Sequence, residues 1–203
     1  MPYPQDHRQE TRERILASAR RLFNRKGLSE VSIDEVMAGA GLTRGGFYSY
    51  FTSKDELYAE AITVFTRRFP SEPWQCGKEG APPPADRPLA ASIVDAYLSR
   101  AHFDDIEGSC PMLGLPSDVA RGGRAVKAAY REVLGMMVGA FSAHLGPDRK
   151  AAYERALGIA ALCVGGMVLA RAVDDPVLAD DLREAARKMA QSIGAWDRTP
   201  EPA

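Results

Sequence analysis

Cysteine is scarce in this sequence, and long apolar runs are missing. The three cysteines, Cys76, Cys110 and Cys163, are widely spaced and odd in number, which argues against a disulfide framework and favours a reducing compartment. The longest uncharged apolar run, residues 156–170, is shorter than the roughly 20 residues that span a bilayer. The polar N-terminus has no apolar segment of the kind found in signal peptides. We therefore expect a cytoplasmic protein without a membrane segment.

The patterns of catalytic and metal sites are also missing. There is no His/Glu or His/Cys metal spacing, no glycine-rich phosphate loop and no nucleophile motif. The carboxylates of Asp104, Asp105 and Glu107 cluster, but a run of this kind is more often solvated. An enzyme built on a helical bundle would need such a constellation, so we predict no enzyme, no cofactor and no metal.

The charge balance is nearly neutral, with a formal net charge of −1. A chain of this kind does not coat nucleic acid through bulk charge, but it can carry a local basic face. Residues 1–70 hold eleven Lys and Arg against nine Asp and Glu, whereas the remainder holds fifteen against eighteen. The asymmetry has the sign that an N-terminal DNA contact requires.

The most informative stretch of the sequence is residues 32–54, where capping residues and glycines mark the ends of short helices. Ser32 is a good helix N-cap, and Glu35, three residues later, completes a capping box. Gly39 and Gly41 end this helix, because glycine tolerates the left-handed backbone of a sharp turn. The pattern predicts a short helix followed by a tight turn.

A second, very short helix is predicted directly after the turn. Thr43 can cap it, and Phe47 and Phe51, four residues apart, should face inward. Ser53 then opens the next helix, with a second capping box formed with Glu56. Two short helices joined by a glycine-containing turn form a helix-turn-helix unit, although an ordinary helical hairpin at a domain surface gives the same pattern.

The polar side of the second helix suits a DNA groove. Gly45 and Gly46 are poor helix formers, each costing about 1 kcal/mol relative to alanine. Without side chains, they allow the helix to approach base edges closely. The helix is small enough, and polar enough on one face, to enter a major groove.

Three segments of the N-terminal part resemble the TetR/AcrR family of bacterial transcriptional regulators. The resemblance runs from about Thr11 to Ile62 and is specific, whereas the family's ligand-binding half is diverse. The segments are residues 11–27 (TRERILASARRLFNRKG), 32–41 (SIDEVMAGAG) and 42–57 (LTRGGFYSYFTSKDEL).

The resemblance, together with side-chain chemistry, predicts which residues bind DNA. Arg44 is the best base reader, since its guanidinium can bind guanine O6 and N7 together. Thr43 suits a thymine methyl or a phosphate, and Tyr48 and Lys54 match the family's phosphate contacts. The alternative for Tyr48 is an aromatic packed under the helix. The full predicted set is Ser32, Thr43, Arg44, Gly45, Gly46, Tyr48, Tyr50 and Lys54.

The first helix carries a charged side opposite its apolar stripe. Ile15, Ala19, Leu22 and Phe23 supply the stripe at helical spacing. Near the start of the helix lie Arg8, Arg12 and Arg14, which we interpret mainly as a solvated face, with one or two possible phosphate contacts.

Apolar spacing predicts helices along the rest of the chain, and we find no convincing strand. The fold class is therefore all-α: an N-terminal three-helix helix-turn-helix domain (residues 1–52) and a C-terminal helical bundle for ligand binding and dimerisation (residues 53–203). A proline-rich loop, residues 70–88, interrupts the bundle. The predicted helices after the helix-turn-helix cover about 53–69, 89–103, a short helix from Pro111 with a break at Pro116, 124–145, 148–173 and 176–196.

The resemblance also implies partners. It implies a homodimer through the last two long helices, double-stranded operator DNA of near-palindromic sequence and a small apolar or aromatic effector. In the last helix, one apolar stripe at helical spacing contains Leu178, Leu182, Ala185, Met189, Ile193 and Trp196. The candidate effector residues are Phe65, Phe69, Tyr97, Phe103, Cys110, Met112, Tyr130 and Met137, each of which could also be an ordinary core residue.

Two alternatives to an effector-released repressor remain open. Cys110 precedes a short helix, where a thiol pKa falls, so the chain could be a redox or electrophile sensor of the same fold. Free cysteine is also among the most buried residue types and is usually inert. A helical adaptor that binds only protein is the other alternative, and the residues Arg44, Tyr48 and Lys54 argue against it.

Overall fold

The computed structural model describes residues 5–68, 88–114 and 116–196; for residues 5, 6 and 65–68 it describes the backbone alone. Helices and turns account for this part of the chain, and no strand occurs in it, so the all-α prediction is confirmed. The elements are α1 (Gln5–Lys26), α2 (Ile33–Gly39), a 3₁₀ helix (Arg44–Ser49), α3 (Lys54–Arg68), α4 (Leu89–Tyr97), α5 (Arg100–Asp104), α6 (Pro111–Gly114), α7 (Pro116–Arg121), α8 (Arg124–Ser142), α9 (Arg149–Ala172) and α10 (Pro176–Gly194).

The described residues form two compact units. The first combines residues 5–68 with 106–133, and the second combines 88–105 with 134–196. The predicted functional boundary after residue 52 stays a prediction, because compactness alone does not test where each function lies. The predicted proline-rich loop falls almost entirely outside the described residues.

The core of the first unit is built on α1. Ile15, Ala19 and Phe23 are buried at the spacing that the sequence predicts. The ring of Phe23 meets Tyr58 of α3 edge-on, with 5.0 Å between ring centroids. Helix α1 ends where Gly27 adopts a φ of +83°, a conformation that glycine adopts without steric cost.

Residues 107–118, which we call the clasp segment, hold the C-terminal end of α1. The side chain of Asn24 donates to the backbone carbonyls of Glu107 and Ser109, at 3.1 and 2.9 Å. Oδ2 of Asp118 accepts from the backbone N–H of Leu28 at 2.6 Å. The first unit therefore contains side chain–backbone bonds that link segments about 85 residues apart in sequence.

One predicted helix, residues 89–103, is two helices in the structure. It breaks at Leu98, and the Ser99 hydroxyl caps α5 by accepting a 3.1 Å hydrogen bond from the N–H of His102. The carbonyl of Leu98 then accepts a 2.8 Å bond from Nη1 of Arg183, a buried residue of α10. The continuous-helix prediction was wrong because the capping serine and a distant arginine satisfy backbone groups at the break.

The buried face of α10 consists of small and polar residues rather than large apolar ones. Leu178 and Met189 are 44% and 55% exposed, whereas small residues and two polar ones are buried: Ala179, Arg183, Ala186, Ala190, Gln191 and Gly194. Helix α9 approaches too closely for larger side chains, since a Cβ added at Gly166 would overlap Ala186.

Helix α9 has two different faces. Ala156, Ile159, Cys163 and Met167 are buried and form its core face. The other face carries Tyr153, Leu157 and Leu169, which are 54%, 40% and 56% exposed. By length and composition α9 could cross a membrane, but its buried face packs on α10 as a core helix does.

Arg155 joins three helix ends in the second unit and gives a stability prediction. Its guanidinium donates to the carbonyls of Leu145, Ile193 and Gly194, at 3.0, 2.9 and 3.0 Å. Because hydrogen bonds to charged groups contribute about 1.5–3 kcal/mol, Arg155→Ala should lower the free energy of unfolding by about 2–3 kcal/mol. Urea unfolding at one fixed protein concentration measures this.

The matched control for Arg155→Ala is Arg149→Ala, which removes an exposed arginine from the first turn of the same helix. We expect the control to unfold at the urea concentration of the unmodified protein. Equal unfolding midpoints for the two variants would contradict the assigned role of Arg155.

Candidate DNA-binding site

Helix α2 begins with the predicted capping box. The Ser32 hydroxyl accepts from the N–H of Glu35 at 3.1 Å, and the Glu35 carboxylate accepts from the N–H of Ser32 at 2.8 Å. Lys26 binds the same carboxylate at 2.6 Å. The hydrogen bond from Lys26, followed by those from Ser32, lowers the pKa of Glu35 to about 2. Ser32 is thus fixed in place, and its DNA contact stays a prediction.

The turn after α2 directs the chain into the 3₁₀ helix. Gly41 adopts a φ of +70°, which a residue with a Cβ would populate only with strain. The N–H of Leu42 returns to the carbonyl of Met37 at 2.9 Å. Thr43 has the extended backbone of an N-cap, but its side chain makes no capping hydrogen bond, unlike the prediction.

Two phenylalanines anchor the 3₁₀ helix. Phe47 and Phe51 are 0% and 1% exposed, as predicted, and their rings stack at 5.8 Å. Because one side of so short a helix is held this firmly, its remaining side chains are fixed toward solvent. Thr43, Arg44 and Gly45 are exposed on this side.

Tyr48 is 65% exposed and meets the edge of Phe47 at 5.2 Å. The alternative interpretation, an aromatic packed under the helix, is therefore wrong. Gly46, Tyr50 and Lys54 are half-buried. The sequence-predicted set thus lies on one short stretch of the helix-turn-helix, with side-chain donors at both ends of the 3₁₀ helix.

The start of α3 differs in one detail from the predicted capping box. Oγ of Ser53 accepts from the N–H of Glu56 at 3.1 Å, as expected. The Glu56 carboxylate instead accepts from the N–H and hydroxyl of Thr52, and these bonds lower its pKa. The Glu56 carboxylate therefore binds one residue earlier than the predicted capping box requires.

Three arginines of α1 make contacts with the helix-turn-helix or with α3. Arg8 and Arg14 are exposed, as the interpretation of a mainly solvated face expects, whereas Arg12 is half-buried. Arg8 donates to the carbonyl of Ser49 at 2.8 Å, and its guanidinium lies 5.9 Å from the ring of Tyr50. Arg14 donates to the carbonyl of Ala40.

Arg12 makes the third of these contacts. It pairs with Glu60 of α3, and its guanidinium lies 4.7 Å from the ring centroid of Phe51. Their i, i+4 spacing places Arg8 and Arg12 on one face of α1, but no sequence signal identified their acceptors.

Asp34 is a further residue that the sequence analysis did not identify. Its Oδ2 accepts a hydrogen bond from Nη1 of Arg44 at 2.8 Å. Both side chains are exposed, Arg44 by 64% and Asp34 by 55%. The arginine with the best chemistry for reading a base is therefore already held by a carboxylate of α2.

Gly45 allows a test of whether DNA approaches the 3₁₀ helix closely, because a methyl group added there should not disturb folding. A Cβ built at Gly45 meets nothing within 4 Å, and its φ lies outside the left-handed region. Gly45→Ala should therefore keep or raise thermal stability. If DNA occupies this space, the methyl group should weaken DNA binding about tenfold, since one extra methyl in a filled interface costs about 1–3 kcal/mol.

A matched control for Gly45→Ala exists in α8. A Cβ at the exposed Gly135 likewise meets nothing within 4 Å, so Gly135→Ala should leave DNA binding unchanged. Fluorescence anisotropy and thermal melts measure both variants. Equal DNA affinities for the two variants would argue against close approach at Gly45.

The candidate effector residues fall into both compact units. Cys110, Met112 and Tyr130 belong to the first unit, and Tyr97, Phe103 and Met137 belong to the second. Phe69 and the side chain of Phe65 lie outside the described part of the chain. Tyr97, Met112 and Met137 are buried, whereas Phe103 and Tyr130 are half-buried. Their binding of an effector stays a prediction.

Cys110 is 1% exposed and precedes the four-residue helix α6. Burial foremost, and the neighbouring Cys110 thiol next, raise the pKa of Tyr130. An external oxidant would reach the Cys110 sulfur only if the surrounding side chains moved. No geometric feature of this thiol therefore favours the sensor hypothesis.

Helix α2 and the anchored 3₁₀ helix, joined by the turn at Gly41, form a helix-turn-helix that exposes Arg44 and Tyr48. Residues 15–61 match the family model described as bacterial regulatory proteins, tetR family. The regulator AcrR of Shigella flexneri is 46% identical over 52 residues, 26% of this chain and 24% of that protein. The repressor BepR of Brucella suis is 36% identical over 63 residues, 31% of this chain and 29% of that protein.

The similarity of fold extends over most of the chain. A TetR transcriptional regulator from Legionella pneumophila superposes with a TM-score of 0.69 at 18% identity, over 87% of this chain and 95% of that one. Residues 15–61 therefore match the tetR family in sequence, whereas over the rest of the chain the similarity to TetR regulators is one of fold. The matches to curated relatives span only about a quarter of their length, so the similarity in sequence concerns the helix-turn-helix part.

Proposed function

We propose that this protein is a DNA-binding transcriptional repressor of the bacterial cytoplasm. It would bind a near-palindromic operator as a homodimer and be released by a small apolar or aromatic effector. The observation that carries the proposal is the 3₁₀ helix Arg44–Ser49, which is anchored by buried phenylalanines and exposes Arg44 and Tyr48. Its family supports DNA binding rather than enzyme chemistry.

The side chains of the proposed site divide by chemistry. Arg44 has the two parallel donors that a guanine O6/N7 edge accepts. Tyr48 offers a phenol hydroxyl and Lys54 an ammonium group, both suited to phosphate oxygens. Phosphate contacts set register and affinity, whereas Arg44 would supply sequence preference.

A second copy of the chain is the proposed partner of α9 and α10. The outer faces of these helices expose six large apolar side chains, which an isolated subunit would leave in water: Tyr153, Leu157, Leu169, Val177, Leu178 and Met189. A two-fold dimer would present two 3₁₀ helices to successive major grooves, about 34 Å apart. The operator would then be nearly palindromic.

Release by an effector requires that the effector bind one dimer geometry more tightly than another. The apolar or aromatic class of the effector rests on the family resemblance. In the second unit, the candidate residue Tyr97 packs edge-on against His102, with 4.9 Å between ring centroids, and the guanidinium of Arg183 lies 5.2 Å from the ring of the candidate residue Phe103. Repression rests on the family's commoner mode and on the name of the repressor BepR.

The test is fluorescence anisotropy with the DNA upstream of this protein's own gene, at two salt concentrations. We expect nanomolar binding that weakens steeply as salt rises, because phosphate contacts release counterions. Unrelated DNA of equal length is the control. Weak binding that is the same for both duplexes would contradict specific recognition of this DNA, and the protein-binding adaptor would become the better hypothesis.

A further inference from the structure

Asp34 is the feature of the helix-turn-helix that the proposed function leaves unexplained. Its carboxylate stands on a surface proposed to meet phosphates, where a negative charge weakens DNA binding. An exposed ion pair contributes little to the stability of a fold. Stabilisation through the 2.8 Å bond to Arg44 therefore does not account for an aspartate at this position. Asp34 makes this bond from the second position of α2, across the turn from Arg44.

The bond to Asp34 leaves the Nε–Nη2 edge of the Arg44 guanidinium available for a base. Arginine has five N–H donors in a planar fork, and Asp34 engages one nitrogen, Nη1. Among the described residues, no hydrogen bond engages the Nε–Nη2 edge of Arg44. That edge carries two parallel donors, the arrangement that guanine O6 and N7 accept.

We propose that Asp34 is a specificity-determining positioning residue, which holds the Arg44 guanidinium so that its Nε–Nη2 edge faces a base. The inference rests on the proposed DNA-binding function. The carboxylate fixes the plane of the fork and also competes with phosphates for the arginine. It thereby lowers affinity for DNA in general and raises the share of binding that depends on sequence.

Removing Asp34 should raise the affinity for non-operator DNA and lower the discrimination between operator and non-operator DNA. Asp34→Ala frees Arg44 to bind phosphates, so affinity for non-operator DNA should rise and its dependence on salt should steepen by up to about one ion per site. Discrimination between operator and non-operator DNA should fall about twofold to fivefold, the range for one exposed ion pair. Asp34→Asn keeps an acceptor without the charge and should lie between.

The experiment begins with selection from a library of random-sequence duplexes, using the full-length protein. Anisotropy then compares the selected duplex with a scrambled one for the unmodified protein, Asp34→Ala, Arg44→Ala and the double variant. Glu30→Gln is the charge control, since Glu30 is exposed on the loop before α2. In the Arg44→Ala background, Asp34→Ala should no longer change discrimination.

The outcomes separate this inference from the proposed function. If the unmodified protein enriches no sequence, both are overturned. If it enriches a sequence and Asp34→Ala discriminates equally well, only the role of Asp34 is overturned. The role of Asp34 is also overturned if Asp34→Ala weakens binding to both duplexes and lowers the melting temperature, because a structural role predicts that result. The same holds if Asp34→Ala changes discrimination equally in the presence and absence of the Arg44 side chain.

Discussion

Arg44→Ala should remove most of the sequence preference of this protein while leaving its fold intact. One bidentate arginine–guanine contact discriminates by about 1–3 kcal/mol. A dimer on a palindrome makes this contact twice, so operator affinity should fall at least about thirtyfold. Arg44 is 64% exposed and its described bond is to exposed Asp34, so thermal stability should change little.

The control for Arg44→Ala is Arg131→Ala, which removes an exposed arginine from α8 in the same compact unit. Both variants lose one positive charge, but only Arg44 is proposed to contact a base. Anisotropy with operator and scrambled duplexes measures the two affinities. An equal fractional loss on both duplexes would mean that Arg44 acts as a phosphate contact only.

Leu169→Glu should separate the dimer into monomers and thereby abolish tight operator binding. Leu169 is 56% exposed on the outer face of α9, and a carboxylate buried there in two copies would lack a partner. Linking two binding modules raises affinity by about 10²–10⁴. Operator affinity should therefore fall about a hundredfold or more, although each 3₁₀ helix is unchanged.

Light scattering measures the mass of the variant, and anisotropy measures its operator affinity. Ile106→Glu is the matched control, since Ile106 is 48% exposed but belongs to the first compact unit and not to α9 or α10. We expect Ile106→Glu to remain dimeric. A dimeric Leu169→Glu variant would place the interface elsewhere.

The helix-turn-helix was predictable because its determinants are local. The Ser32–Glu35 capping box, the turn at Gly41 and the inward pair Phe47 and Phe51 each depend on neighbours within a few residues. Local hydrogen bonding and steric limits decide such features. The exposed chemistry of Arg44 followed from the same pattern.

The parts that sequence reasoning missed depend on distant partners. Apolar periodicity located α10 but did not indicate which residues of the helix are buried, because large apolar residues at helical spacing can lie in a core or on an exposed face. Arg183 is buried there and binds the carbonyl of Leu98, 85 residues earlier. Likewise, Arg8 and Arg14 bind backbone carbonyls. Every residue has a carbonyl, so residue types do not indicate which carbonyl an arginine binds.

The clasp segment limits how this protein could be recombined with others. A chimaera that joined residues 1–68 to the bundle of another regulator would lose the acceptors of the Asn24 side chain and the carboxylate that binds the N–H of Leu28. The transferable part is therefore discontinuous in sequence and needs residues 106–133 as well. Exchange of DNA specificity by recombination at one crossover point would break this unit, whereas point changes on the 3₁₀ helix would preserve it.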